Sequence, residues 1–382
     1  MKSRLLFVVR ALPYESSGTP VVIRNLLMHL PADDFFVLGR TPHPQKRLPN
    51  TVKQKMFEIP ILHTKGHRFW KYYSILPGFV MGIWMIKKYK INKIIGVFQD
   101  DASLLLAYLL ALLFPKLEFY PYLMDLYAEQ KEDNSRVQNL QNAIFKRAKK
   151  ILLVNDGMNE YLNSRYPNLN FKTIPIISQI GTKQPIDSTK NLKEPSKKFM
   201  LVFSGSVNED RLETLRIMTK IISQDSRITM RYLTSQSQET LEKLGVFYDG
   251  FHVRYCKTPE ELIQELNKAD ILYLPLAFSY PEAKKPQMIT CFGAKVFDYM
   301  QASVPILIHA PHDVFNYTFF EKNKAAFLLN SLEEDTIKNK LDILLQEAGK
   351  ETSKQLVMNA NTLAKQFDGE IVSQLFLKTI QH

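Results

Sequence analysis

Between Ala269 and Pro311 the chain reads ADILYLPL (Ala269–Leu276), then an irregular stretch, then TCFGAKVFDYMQASVPILIHAP (Thr290–Pro311). The apolar run Ile271–Pro275 predicts a buried strand, Ala294–Ala302 a helix and Ile306–His309 a second strand. A strand, a loop, a helix and another strand make a βαβ unit with parallel strands. A helix opening near Ala294 would present unpaired N–H groups and a positive dipole end, which suit a phosphate. Gly293, just before it, lets backbone come close to a ligand. Lys295 and Asp298 are three apart and share one helical face. The lysine can neutralise phosphate and the carboxylate can accept hydrogen bonds from ribose hydroxyls. The same spacing also fits a surface ion pair on a packing helix. No Gly-x-Gly-x-x-Gly run occurs anywhere in the chain.

Outward from this segment, the same alternation repeats. Toward the N-terminus, Phe199–Ser204 predicts a strand running directly into Gly205, and Thr229–Thr234 another, with a helix at Pro259–Lys268. GTKQPIDSTKNLKEPSKK at 181–198 is polar, holds two prolines and has no periodicity, and so reads as a linker. Before it, strands are expected at Leu5–Val9, Phe35–Leu38, Ile94–Phe98, Phe119–Met124 and Ile151–Val154. Helices are expected at about Pro20–Leu30, Ile75–Tyr89, Ser103–Phe114 and Val137–Lys150, with a polar, Pro-rich loop over 41–50. Short apolar strands alternating with helices imply buried parallel sheets. The chain of 382 residues is also longer than one core usually organises. The expectation is α/β, with two doubly wound domains, 1–180 and 199–365, and a cleft lined by the carboxyl ends of both sheets.

Composition narrows the function. Hydrophobic residues make up 45% and charged residues 23%, values that exclude a disordered chain. The two cysteines, Cys256 and Cys291, exclude a disulfide scaffold and a cysteine-based metal site. The first apolar run, Leu5–Val9, is too short for a signal peptide, and no run suits a spanning helix, so a soluble cytoplasmic protein is expected. Charge divides unevenly: residues 1–190 hold 27 Lys+Arg against 14 Asp+Glu, and the remainder 23 against 24. The basic half suggests an anionic partner, such as a phospholipid surface, a lipid diphosphate or nucleic acid, or else a basic solvated surface.

ADILYLPL and FDYMQASVPILI together resemble the C-terminal domain of the retaining glycosyltransferases of family 4, which have the GT-B fold. That family carries Glu, seven residues and a second Glu before a small-residue turn, Pro and an apolar strand. Asp298 falls at the second Glu, which binds the donor ribose, and Thr290 at the first, so half of the signature is lost. AKVFDYM is similar to a variant with Lys at the position of Lys295, which adds Gly293, Ala294 and Val296 to the implied donor site. SGSVNEDR at Ser204–Arg211 is similar to the family's Gly-Arg-Leu stretch: Gly205 matches, Ser206 replaces the Arg, and Arg211 falls at the diphosphate-binding Lys. Arg211 can hold a diphosphate bidentately, or stand exposed at a helix start. ESSGTP resembles the glycine-rich turn after the first strand, placing Gly18 near donor phosphate or an anionic acceptor; a capped tight turn is the other reading.

The resemblance implies transfer of a sugar from a nucleoside-diphosphate donor, with retention at the anomeric carbon and no obligatory cofactor or metal. Arg211 and Lys295 would meet the leaving diphosphate, and Asp125, ending the strand in YLMDLY, would face sugar or acceptor or simply cap the next helix. Asp100 and Asp101 could bind Mg or Mn, or cap the helix that follows. Acceptor or membrane contact is expected from Arg10 and from Trp70, Trp84, Lys87 and Lys88 in an aromatic–basic segment that equally suits a core helix with a solvated end. Segment 366–382 is expected to form a helix returning to the N-terminal domain. Acceptors would be a glycan or a lipid-linked carrier in surface polysaccharide assembly, at the inner face of a membrane, and nucleic acid is not expected. A sugar-nucleotide epimerase on the same fold, or a non-catalytic membrane-docking adaptor, are the alternatives.

Overall fold

The computed structural model describes residues 3–14, 18–41, 51–60, 73–98, 101–126, 128–129, 135–177, 198–293, 295–347 and 350–381. The chain forms two compact units, Met1–Ile177 together with Gly369–His382, and Ser178–Asp368. The stretch expected as a linker lies outside the described residues except for Lys198, as does the expected loop at 41–50 except for Thr41.

The first unit holds seven strands: β1 (Leu5–Ala11), β2 (Phe35–Arg40), β3 (Lys55–Glu58), β4 (Lys93–Phe98), β5 (Glu118–Leu123), β6 (Ile151–Leu153) and β7 (Phe171–Thr173). They lie in the order β3-β2-β1-β4-β5-β6-β7, every pairing parallel, with Phe7 between Val37 and Ile95. Strands buried on both faces explain the unbroken apolar runs LLFVV and IIGVF. The order reverses between β1 and β4, the place where doubly wound sheets open at their carboxyl edge. Helix Ile75–Tyr89 packs on helix Asp101–Leu113, and glycine allows the close approach: a β-carbon at Gly78 would meet Leu106, and one at Gly82 would meet Leu110.

Helix Gly369–Gln381 belongs to this first unit. It buries Val372, Phe376 and Ile380, and Phe376 stacks on Phe7 with ring centroids 5.9 Å apart. Its carboxyl end is fixed by two lysines, Lys93 donating to the Ile380 carbonyl and Lys150 to that of Thr379 at 2.7 Å. Lys93 also pairs with Glu118 at 2.5 Å. Burial pushes the Glu118 carboxyl up, but hydrogen bonds from Lys149, Lys93 and Tyr120 outweigh it and hold it at about 2.

The second unit repeats the design with β8 (Phe199–Ser204), β9 (Ile228–Leu233), β10 (His252–Arg254), β11 (Ile271–Pro275), β12 (Ile306–His309) and β13 (Phe327–Leu329). The order is β10-β9-β8-β11-β12-β13, again all parallel. Its reversal falls between β8 and β11, so the loops leaving Ser204 and Pro275 flank the natural ligand position of this sheet.

Candidate functional site

β8 ends at Ser204, and the chain turns through Gly205 with φ 100°, a conformation that favours glycine. The turn is held from below, since the Gly205 N–H donates to the Leu233 carbonyl at 2.8 Å. Across the bare face of Gly205 lies the side chain of Lys295; a β-carbon here would overlap its Cε and Nζ. The ammonium sits 4.7 Å from the centroid of the Phe203 ring. Although the lysine stem is partly exposed, its Nζ is buried and has no hydrogen-bond partner. Burial, reinforced by the positive charge of Arg211, pushes the Lys295 amine down to about 7.

Asp298 shares the face of helix Lys295–Gln301 that carries Lys295. It is 8% exposed, its Oδ1 has no hydrogen-bond partner, and burial raises its carboxyl to about 7, Lys295 opposing. Two buried ionisable groups without saturated partners are rare in a finished core. Their neighbour Tyr299 is fully paired. Its hydroxyl accepts the Ser204 N–H at 2.8 Å and donates to the Tyr273 carbonyl at 3.3 Å. The helix is thereby tied to the end of β8 and the middle of β11, the two strands that flank the reversal.

Arg211 stands in the first turn of helix Glu209–Ser223, half-buried, and donates to the Ser206 carbonyl at 3.2 Å. That contact brings the guanidinium over the same turn as Lys295, while the Ser206 side chain is exposed. The loop after β11 is anchored to this helix. Thr214 donates to the Leu276 carbonyl at 2.6 Å, and the Ser279 hydroxyl to Glu213 at 2.9 Å. Gly205, Arg211, Lys295 and Asp298 are thus brought together. Gly293 is exposed with open space at its α-carbon, Val296 is buried in the core, and Ala294 lies outside the described residues. Thr290 is buried and donates to the Pro286 carbonyl at 2.7 Å, so its hydroxyl serves the helix that carries it. His309 is also structural: its Nδ1 meets the Tyr273 hydroxyl at 2.8 Å, its Nε2 meets the Ser331 carbonyl at 2.7 Å, and burial lowers it to about 4.

In the first unit, Arg10 lies at the carboxyl end of β1, and Gly18 and Asp125 follow the carboxyl ends of β1 and β5 in the same sheet. Gly18 has φ 69° and caps helix Thr19–Met28 by backbone alone, its carbonyl accepting the Val21 N–H at 3.1 Å. Asp125 is exposed, and desolvation by the protein around it pushes its carboxyl up to about 6. Trp84, Lys87 and Lys88 lie toward the carboxyl end of helix Ile75–Tyr89. That helix leads back into β4, so they sit at the opposite end of the sheet from Arg10. Arg10 therefore does not lie with Trp84, Lys87 and Lys88, although all were expected to make acceptor or membrane contact, and Trp70 lies outside the described residues. Asp100 and the Asp101 side chain do too, and among the described residues no His, Cys, Asp and Glu group could hold a metal ion. No described helix is long and apolar enough to cross a membrane.

Sequence reasoning passed over Phe203 and Tyr299. Both read as ordinary strand and helix apolar positions, and only the tertiary fold brings the ring under Lys295 and the hydroxyl onto Ser204.

No family model and no curated protein matches the chain in sequence. Solved structures do match over its length. Sucrose-phosphate synthase from Thermosynechococcus elongatus superposes with TM-score 0.72 at 12% identity, covering 100% of this chain and 98% of that one. HepE from Anabaena, in complex with UDP-glucose, gives 0.68 at 13% identity and 99% of both chains. A protein from Listeria monocytogenes assigned as a UDP-N-acetylglucosamine 2-epimerase gives 0.58 at 11% identity, with coverage of 100% and 96%. At these identities the likeness establishes architecture, and the two parallel sheets of seven and six strands are those of the GT-B fold.

Proposed function

We propose that this protein is a retaining glycosyltransferase of the hexosyl type. It moves a sugar from a nucleoside diphosphate to a glycan or lipid-linked acceptor in surface polysaccharide assembly, as a cytoplasmic protein peripheral to the inner face of the membrane. One observation carries the reading. At the strand reversal of the second unit a buried ammonium lies against a left-handed glycine, and a buried carboxyl follows one helical turn on, both with hydrogen-bonding capacity unused. A nucleoside diphosphate supplies what both lack. Lys295 and Arg211 would neutralise charge growing on the departing diphosphate, the electrostatic contribution that usually dominates such transfers. Asp298 would accept the ribose hydroxyls, and the missing side chain at Gly205 leaves the room that Lys295 occupies. In this reading residues 199–365 bind the donor and residues 1–180 the acceptor, with Asp125 at the acceptor side. The Anabaena neighbour's UDP-glucose complex supports a uridine donor as the first to try.

A thermal-shift panel of UDP-, GDP-, dTDP- and ADP-sugars tests the donor, because a ligand of the folded state raises its melting temperature. A shift by one base series and none by the others is expected, abolished in Lys295→Ala. No shift by any of them would refute the reading. The likeness to the epimerase favours one rival, isomerisation of a sugar nucleotide with no second substrate. Turnover of donor alone, followed by NMR, would select it. With two protein cations to meet the diphosphate, activity should survive EDTA, and loss restored by Mg or Mn would count against this site.

A further inference from the structure

Helix Ile75–Tyr89 turns a hydrophobic stripe to solvent. Leu76 is 71% exposed, Val80 59% and Trp84 44%, at successive i, i+4 positions, with Tyr73 at 50% just before them. The fold does not need these side chains. The helix packs through its other face, where Gly78, Gly82, Met85 and Ile86 are buried. The Trp84 ring is nevertheless held in place, edge-on to Phe57 at 5.7 Å and to Tyr89 at 5.8 Å, with the Lys88 ammonium 4.5 Å from its centroid. Below the stripe Lys87, Lys88 and Lys90 are exposed, and no Asp or Glu occurs from residue 73 to residue 98.

An apolar stripe that carries an indole and is flanked by cations alone has the composition of an interfacial helix, whose apolar face enters the acyl boundary while its lysines reach the anionic headgroups. A fifteen-residue helix is too short to span and suits lying in the plane. A protein partner would bury the same apolar area, but the lack of any acidic residue along segment 73–98 matches a surface that is uniformly negative. We infer that the outer face of helix Ile75–Tyr89 is the surface by which this protein docks on anionic membrane, with Leu76, Val80 and Trp84 entering the interface and Lys87, Lys88 and Lys90 meeting the headgroups. This rests on the peripheral placement proposed above and names the face that performs it.

The test is flotation of the full chain with vesicles of phosphatidylglycerol and phosphatidylcholine in equal parts, against phosphatidylcholine alone. Binding to the first and not the second is expected, weakened by salt because exposed charges are screened. Leu76→Glu with Val80→Glu should lower partitioning at least tenfold, and Lys87→Gln, Lys88→Gln and Lys90→Gln together should remove the preference for anionic lipid. In a Trp70→Phe background Trp84 is the one tryptophan left. Its emission should shift to the blue on vesicles and be quenched by brominated acyl chains. Wild-type flotation of the Leu76→Glu/Val80→Glu variant, or Trp84 emission indifferent to lipid, overturns the assignment of this face while leaving peripheral binding standing. No flotation of wild type overturns both. A concentration-dependent dimer that the double variant dissolves would instead make the stripe a contact between copies, and the bilayer assignment would fall. Thermal shift by the donor, measured on the same variant, reports on folding and on the donor reading independently.

Discussion

Lys295 destabilises the fold that holds it. Its contact with Phe203 returns about 0.5–2 kcal/mol, yet the amine is still driven down to about 7, so desolvation wins. The sign follows. In the unfolded chain this lysine stays protonated to far higher pH, so above about 7 the unfolded state holds the extra proton, and raising pH from there toward the ordinary lysine range stabilises the protein. Asp298 acts in the opposite sense. Between the ordinary carboxylate range and about 7 the folded state holds the extra proton, and raising pH through that window destabilises. Together they put a stability minimum near neutrality. Lys295→Met keeps the volume and removes the charge, so it should stabilise the protein by about 1–3 kcal/mol at pH 7. It should also weaken nucleoside-diphosphate binding by about 1.5–3 kcal/mol, the worth of a hydrogen bond to a charged group. Calorimetric melting and titration check the two halves separately, and a destabilised variant would contradict the argument. Arg211→Ala should weaken the same binding by a similar amount, about 1.5–3 kcal/mol. Its stability should change little, because only the half-buried contact to the Ser206 carbonyl is lost. Unchanged titrations in both variants would move the donor site elsewhere.

At the level of elements, the site depends on helix Lys295–Gln301 being pinned to two strands at once. Tyr299→Phe removes the acceptor for the Ser204 N–H and the donor to Tyr273, leaving a buried backbone group unpaired at the end of β8. A loss of about 1–3 kcal/mol is expected, together with weaker nucleotide binding, since the Gly205 turn starts at that N–H. Stability without any change in binding would mean the turn is set by the Leu233 contact alone. Elements with a long apolar run were legible in the sequence: β8, β11, β12 and helix Ile75–Tyr89 lie at the bounds their patterns predict. Most other short strands were not, β6 (Ile151–Leu153) being an exception. KMFE in β3, FKT in β7, HVR in β10 and FLL in β13 are three or four residues each, too short to show a period, and they pair only because a neighbouring strand templates them. Helix Asp156–Arg165 was missed for another reason, that it buries only Gly157, Met158 and Leu162 and has almost no apolar stripe to read. The Lys295–Asp298 pair was visible in its spacing, whereas the burial that shifts both groups comes from the tertiary fold, Phe203 of β8 included, and could not be read locally.

For the whole molecule, the chain crosses between its units twice, and the second crossing returns only the last helix to the first unit. That return is structural rather than incidental. Val372, Phe376 and Ile380 are removed from water against the β1 side of the sheet, Phe376 lies near both Phe7 and Phe35, and Lys93 and Lys150 close the helix end. Full burial of such side chains is worth about 1.5–3 kcal/mol each, so the helix contributes on the order of the whole margin of a domain, about 5–15 kcal/mol. The second unit has its own core, including Leu201, Phe203, Tyr273 and Leu307, and owes nothing to those three residues. A chain ending at Asp368 should therefore melt in two separated steps. The early one should belong to the first unit and expose its sheet, and the late one should match the wild-type second unit. It should keep the donor-dependent thermal shift on the late step, because Gly205, Arg211, Lys295 and Asp298 all remain. Scanning calorimetry with and without the donor decides it. A single cooperative transition at the wild-type temperature would show that the last helix is dispensable to the first core, and loss of the donor shift would place part of that site in the unit the truncation unravels.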